Sequence, residues 1–348
     1  MAANSAIQWT DATWNPTAGC SLVSPGCTNC YAMRDAWRLA HNPKTAAKYA
    51  GTVEKVNGKP VWTGKVNLDE KALLVPLAWR KPRRVFVDSM SDLFHEDVPE
   101  FWIDQVLAMI ACCPQHVFQV LTKRPERMRR YIADEEMPAR VEVFVEAIIY
   151  DRVDPNERRT DDLIAIALDP QDVLPNLWLG TSVEDQRHAD ERIPALLDTP
   201  AAVRFLSCEP LLGPIDIGQF VVEETEPAYR MLSRHYGPNG LFDETGSQSE
   251  KRYRIKKDHG LHWLIVGGES GPRARAFDIA WARALMAQCA GCQVPFFMKQ
   301  LGARPYDGAR RFLCGDRHGG NPEQWPEDLR VRQFPSVCEA FDGGSKSD

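Results

Sequence analysis

Short apolar runs that stop abruptly in polar residues recur along the chain. The clearest are Val85 to Asp92, Val117 to Arg124 and Leu177 to Glu184. Three more follow at Val203 to Glu209, Leu264 to Ser270 and Val294 to Gln300. Each holds a block of Val, Ile, Leu and Phe without strict alternation. Such blocks read as strands buried on both faces, which is the pattern of a parallel sheet.

Between them lie helical periodicities. Phe101 to Ala111 puts Trp102, Val106, Met109 and Ile110 near one face, after a start at Asp97 and Pro99. His188 to Leu197 carries a weaker pattern, interrupted by Pro194. Asp278 is placed to cap a helix that buries Ile279, Ala282, Leu285, Met286 and Cys289. Alternating β and α elements predict a doubly wound sheet or a full or partial β/α barrel. The expectation taken forward is an α/β chain folded as an incomplete, TIM-type parallel β/α barrel.

One domain is expected over 1–334, with a flexible tail over 335–348. Two segments read as inserts. The stretch 131–175 is acidic, and its middle, Asp151 to Asp162, reads as exposed loop. The stretch 218–260 is polar and ends in the basic run Lys251 to Lys257.

In both architectures ligands gather at the C-terminal ends of the parallel strands. Asp88, Ser89, Asp92, Lys123, Arg124, Ser182, Glu184, Glu209, Glu269 and Lys299 all fall there. A shared polar pocket is therefore expected, with Glu209 and Glu269 facing into it.

Composition adds little to the fold and more to the setting. The 348 residues are 44% hydrophobic and 26% charged, as in ordinary globular proteins. The N-terminus shows no basic region followed by an apolar run, and no stretch nears ~18 apolar residues, so no membrane span and a cytoplasmic location are expected. In that compartment the ten cysteines are expected to be reduced, buried or metal-bound rather than disulfide-paired.

The strongest chemical signal is Cys20-Ser-Leu-Val-Ser-Pro-Gly-Cys27-Thr-Asn-Cys30, a C-x6-C-x2-C loop. Cys27 and Cys30 can converge on one centre, and Pro25-Gly26 favours the turn that returns Cys20. Three ligands differ from the usual four of a structural zinc site. Three cysteines on a [4Fe–4S] cluster leave one iron open. A second pair, Cys289 and Cys292, ends the helix that Asp278 caps. It reads as core, or as the other half of a four-cysteine zinc site with Cys27 and Cys30. Gly267 and Gly268 follow a strand, where they permit close approach to a ligand. Basic clusters at Arg80 to Arg84, Lys123 to Arg130 and Lys251 to Lys257 stand against a net charge of −6. They suit phosphate contact, which keeps open a second reading of a zinc- or iron–sulfur-stabilised nucleic-acid-binding protein without catalysis.

With its cysteine loop at the start of a β/α array, the chain resembles the radical S-adenosylmethionine (AdoMet) superfamily. More closely, it resembles a phage-associated, uncharacterised family with an N-terminal three-cysteine motif. The shared blocks are Ile7 to Pro16, Gly19-Cys20, Pro25 to Ala32, Phe86 to His95 and Leu121 to Met128. Leu179 to Glu184, Ser207 to Leu211, Val266 to Gly271 and Trp325 to Arg330 complete them. The superfamily spacing is C-x3-C-x2-C with an aromatic before the last cysteine. Here the first gap is six, Asn29 precedes Cys30, and Gly267-Gly268-Glu269 comes late. The resemblance implies a [4Fe–4S] cluster on Cys20, Cys27 and Cys30, AdoMet on its open iron, and an external one-electron reductant. It also implies a 5′-deoxyadenosyl radical that abstracts hydrogen from a substrate it leaves unnamed. Expected contacts to AdoMet or substrate are Lys123, Ser182, Glu184, Glu209, Gly267, Gly268 and Glu269. A partner protein and a nucleic-acid substrate remain open.

Overall fold

The computed structural model describes residues 5–152, 174–220, 229–236, 249–256 and 260–335. Its centre is a seven-stranded parallel sheet: β1 (Ala12–Trp14), β2 (Arg84–Val87), β3 (Val117–Thr122), β4 (Leu177–Ser182), β5 (Val203–Cys208), β6 (Trp263–Gly267) and β7 (Phe296–Gln300). Spatial order follows chain order throughout, and every neighbour pair is parallel. A doubly wound sheet would reverse its strand order at a switch point. This one does not, and it curls into a half-barrel.

The register sorts the strand residues into two apolar faces. Val85, Phe118, Val120, Leu177, Leu179, Leu206, Leu264, Val266, Phe296 and Met298 join the main core beneath the helices. The alternate positions, Phe86, Trp178, Phe205, Trp263, Ile265 and Phe297, pack with Trp9 on the inside of the curl. This double burial explains why the strands read as continuous apolar runs. Trp9 packs tilted against Phe86 with ring centroids 4.7 Å apart, and Trp263 stands 6.0 Å from Trp178 and 5.8 Å from Phe205. These rings come largely from the N-terminal halves of their strands. They fill that end of the half-barrel and leave only the C-terminal end polar.

The outer layer is built from α1 (Tyr31–Ala40), α2 (Glu100–Ala111), α3 (Pro125–Ile132), α4 (Met137–Arg152), α5 (Gln186–Leu197) and α6 (Ile279–Gly291). Helix α2 follows Pro99 and buries Trp102, Ile103, Val106, Leu107 and Ile110. In α5, Asp185 accepts the His188 N–H at 3.0 Å as N-cap. Pro194 sits inside this helix rather than ending it, at an exposed position where water can take the freed carbonyl. Asp278 caps α6 through the Ala280 N–H at 2.9 Å, and the helix ends at Gly291.

Half of the first expected insert belongs to this layer. Tyr131 lies in α3, and α4 buries Val141, Val145 and Ile149 in the main core. Tyr131 Oη and Arg140 Nε both reach the buried Asp104 carboxylate, at 2.5 and 3.3 Å. Residues 153–173, with most of the expected exposed loop, lie outside the described residues. Within the second expected insert, Tyr229–Tyr236 and Ser249–Lys256 form an antiparallel hairpin. The expected tail beyond 335 is also outside the described residues. A small three-stranded sheet joins Phe277–Asp278, Pro305–Asp307 and Arg310–Arg311 beside α6.

Candidate functional site

The inner-face parity continues past the strand ends into polar residues. On β4 and β5, Ser182 pairs with Ser207 in register, and Ser207 pairs with Ile265 of β6. Lys123, Glu184, Glu209 and Glu269 extend this alternation just beyond β3, β4, β5 and β6, and Lys299 occupies it on β7. Lys299 Nζ lies 2.9 Å from Glu209 Oε1, an ion pair off the hydrogen-bond direction. A Cβ on Gly267 would collide with this Glu209 carboxylate, and one on Gly268 with the Leu301 carbonyl. Both glycines therefore serve close internal contacts at the sheet edge.

The cysteine loop leaves β1 and crosses this polar end before entering α1. Its anchors come from four other strand ends. Near β2, Gly19 N–H donates to Met90 O at 3.2 Å, Ser91 Oγ donates to Gly19 O at 2.6 Å, and Tyr31 Oη donates to Ser89 O at 3.1 Å. After β3, Arg124 Nη2 donates to Ser21 Oγ at 2.6 Å. After β4, Glu184 accepts the Gly26 N–H at 3.3 Å. After β6, Glu269 accepts from Asn29 Nδ2 at 3.1 Å, and Arg275 Nη1 donates to Pro25 O at 2.8 Å. A Cβ on Gly26 would stand 3.1 Å from the Glu184 carboxyl carbon, so a glycine here lets the loop descend onto the strand end.

The anchoring carboxylates are themselves held by arginines. Arg192 Nη1 donates to Glu184 Oε2 at 3.0 Å, and Arg275 binds Glu269 through Nε at 3.0 Å and Nη2 at 2.6 Å. Burial pulls the Glu184 carboxyl up, but Lys123, Ser24, Arg192 and His188 hold it below its ordinary range. Burial opposes and the Arg275 and Asn29 hydrogen bonds win at Glu269, also held low. Buried Arg124 bridges Asp92 at 2.9 Å and Glu96 at 2.8 Å, while Thr122 Oγ1 donates to Asp92 at 2.6 Å. Asp88 accepts from Thr17 Oγ1 at 2.7 Å, and burial lifts its carboxyl to about 7.

Cys20, Cys27 and Cys30 are half-buried and unbridged. Burial pushes the Cys20 thiol up to about 12, Asp92 adds to the rise, and Arg124, whose Nη1 lies 4.0 Å from Sγ, opposes it. Cys30 and Cys27 are close enough that their charge also raises Cys20. Burial raises Cys30 too, against the pull of Lys123. Thiolates at Cys20 and Cys30 would therefore need added positive charge to persist, which a bound metal centre supplies. Among the described residues no three His, Cys, Asp or Glu side chains gather closely enough for one metal ion. One tetrahedral zinc needs thiolates about 3.8 Å apart, from bonds of ~2.3 Å. A cubane places each cysteine on a different iron, so it does not require three ligands around one ion.

The second cysteine pair stands elsewhere. Cys289 is buried in the main core and Cys292 packs against it, whereas Cys20 and Cys30 pack with Met33, Met90 and Trp62. The strongest charge partner of Cys208 is Cys289 rather than a loop cysteine. The four-cysteine grouping of Cys27, Cys30, Cys289 and Cys292 is not formed among the described residues.

Of the expected contact residues, Glu184 and Glu269 bond the cysteine loop and Lys123 acts on Cys30 by charge, while Ser182, Glu209 and Gly267 lie at the same strand ends and Gly268 packs against Leu301. Sequence reasoning missed Asn29, Arg192 and Arg275. Asn29 meets Glu269 from 240 positions away, and Arg192 and Arg275 reach carboxylates eight and six residues back, spacings that no helix or strand period marks.

These features define a parallel half-barrel whose polar mouth is spanned by a three-cysteine loop. The chain belongs to the family described as protein of unknown function (DUF5131), whose model matches residues 4–323. Searches of the curated proteins and of the solved structures found no match.

Proposed function

We propose that this protein is a radical AdoMet-type iron–sulfur enzyme of the cytoplasm, with the phage association that its sequence motifs suggest. The observation that carries the reading is the position of the cysteine loop. It follows the first strand directly and is pinned across the C-terminal mouth of a parallel half-barrel, where ligands of this architecture bind. Cys20, Cys27 and Cys30 would hold a [4Fe–4S] cluster. When bound and reduced by an external one-electron donor, the cluster with AdoMet would supply homolysis of the sulfonium C–S bond and hydrogen abstraction from the substrate.

The chain's own residues have separable tasks in this reading. Arg124 and Lys123 offset the negative charge of the thiolates. The Glu184 and Glu269 carboxylates, accepting from Gly26 and Asn29 of the loop, act by positioning it over the mouth. Ser182, Ser207 and the Glu209–Lys299 pair offer polar groups to AdoMet or substrate on the inner face. The aromatic floor of Trp9, Trp178, Phe205 and Trp263 closes the lower end, keeping water from approaching from below.

Anaerobic purification tests the first step. Brown protein with stoichiometric iron and sulfide is expected, and any one of Cys20→Ala, Cys27→Ala or Cys30→Ala should lose most of that iron. Colourless protein containing zinc would contradict the proposal and favour the non-catalytic nucleic-acid-binding reading.

A further inference from the structure

A second concavity adjoins the cysteine loop. It is an open groove of about 950 Å³ lined by Arg34 of α1, the Gly271–Pro272 turn and the segments 302–305 and 311–318. The groove lies beside the loop: Arg34 follows it in α1, and Asn29 Nδ2, next to Cys30, donates to Glu269 and to the carbonyl of Arg273, the residue after the groove's Pro272, at 3.1 Å.

Its charge is one-sided. Arg34, Arg304, Arg311 and Arg317 line it, all exposed, against the single carboxylate of Asp316. That carboxylate is occupied by the backbone N–H groups of His318 at 3.0 Å and Gly320 at 2.6 Å. Elsewhere the arginines hold carboxylates, as Arg84, Arg124, Arg192, Arg275 and Arg283 do. Among the described residues the side chains of Arg34, Arg311 and Arg317 make no hydrogen bond or ion pair. Unpaired guanidinium groups facing one groove, in a chain of net charge −6, are a local demand for anions. Leu313, 79% exposed, adds an apolar surface to the same wall.

We infer that this groove binds single-stranded nucleic acid, and that this is the substrate class presented to the cysteine-loop site. The second clause rests on the proposed function; the binding itself does not. An open groove with arginines spread along it suits successive phosphates rather than one phosphoryl group. Guanidinium planes and an apolar side chain suit unstacked bases. A phosphopeptide would require the arginines to converge on one point, and a membrane would require a projecting apolar face.

The test is fluorescence anisotropy of labelled oligo-dT and oligo-U with the full chain, titrated across salt. Wild type should bind one or both. Arg311→Gln/Arg317→Gln should weaken binding about tenfold or more and reduce the log–log salt slope by about 1.4, at ~0.7 per lost phosphate contact. Leu313→Ala should weaken it without changing the slope. The control Lys71→Gln/Arg187→Gln, on exposed basic residues outside the groove lining, should leave binding unchanged. No binding by wild type, equal loss in the control, or tighter binding to phosphatidylserine vesicles or a phosphopeptide would each overturn the inference. Cys27→Ala protein separates the two claims. It should bind the oligonucleotide while lacking iron. Oligonucleotide binding without AdoMet cleavage in wild type would sink the proposed function and the substrate assignment while leaving the groove. Cleavage without oligonucleotide binding would do the reverse.

Discussion

The Glu184–Arg192 pair is where removal of a side chain should register both in global stability and in the cysteine loop. Glu184 is fully buried and Arg192 is 7% exposed. Their contact is 3.0 Å, and Glu184 also accepts the Gly26 N–H. Glu184→Leu leaves a guanidinium buried with only the Ser182 carbonyl, 2.7 Å from Nη1, as its remaining acceptor. Breaking a buried pair from one side costs about 3–5 kcal/mol. Arg192→Leu should cost less, because Lys123 and His188 still face the carboxylate. Replacing both by leucine removes both desolvated charges, so the double variant should be at least ~2 kcal/mol more stable than the sum of the singles predicts. Urea denaturation of the four proteins gives this coupling. Hydrogen exchange of residues 24–30 gives the local effect: both Glu184 variants should lose protection in the loop, and Arg192→Leu should keep most of it. Additive single effects, or unchanged loop exchange in Glu184→Leu, would refute the anchoring role.

Two further outcomes follow from buried groups. The Asp88 carboxyl is raised by burial to about 7, so the folded state holds a proton that the unfolded chain releases near its ordinary value. Its contribution to stability is therefore present at low pH and falls as pH rises from about 4 to about 7, by at most ~4 kcal/mol at ~1.36 kcal/mol per unit. Asp88→Asn keeps an acceptor for the Thr17 N–H and a group to pair with Thr17 Oγ1, and should gain stability relative to wild type as pH rises from about 4 to about 7; a pH-independent difference in urea midpoint would contradict this. Replacing Cys289 and Cys292 together by alanine should cost ~1–2 kcal/mol of core packing yet leave iron content unchanged; loss of iron in that variant would place the second pair at the metal centre.

How much of this was legible in the sequence differs by level. The strands were readable because burial on both faces leaves continuous apolar blocks, and their polar ends marked the mouth. Helix α4 was obscured by its acidic surroundings, although Val141, Val145 and Ile149 repeat every four residues and form one buried stripe. The three cysteines were visible as a motif. What holds them in place was not: Gly26 and Glu184 are 158 positions apart, and Asn29 and Glu269 are 240 apart. Glu184 and Glu269 were expected to meet a ligand. In the structure their carboxylates are engaged by the loop and by arginines, a division of labour that only the tertiary arrangement reveals.

The most direct measurement of the central claim is the product formed from AdoMet. Anaerobically reconstituted protein carrying its cluster, treated with dithionite and AdoMet without added substrate, should release 5′-deoxyadenosine slowly, and Cys27→Ala protein should release none. A loaded, reducible cluster in the wild-type chain that yields no 5′-deoxyadenosine would contradict the account and leave a structural or electron-transfer role for the loop.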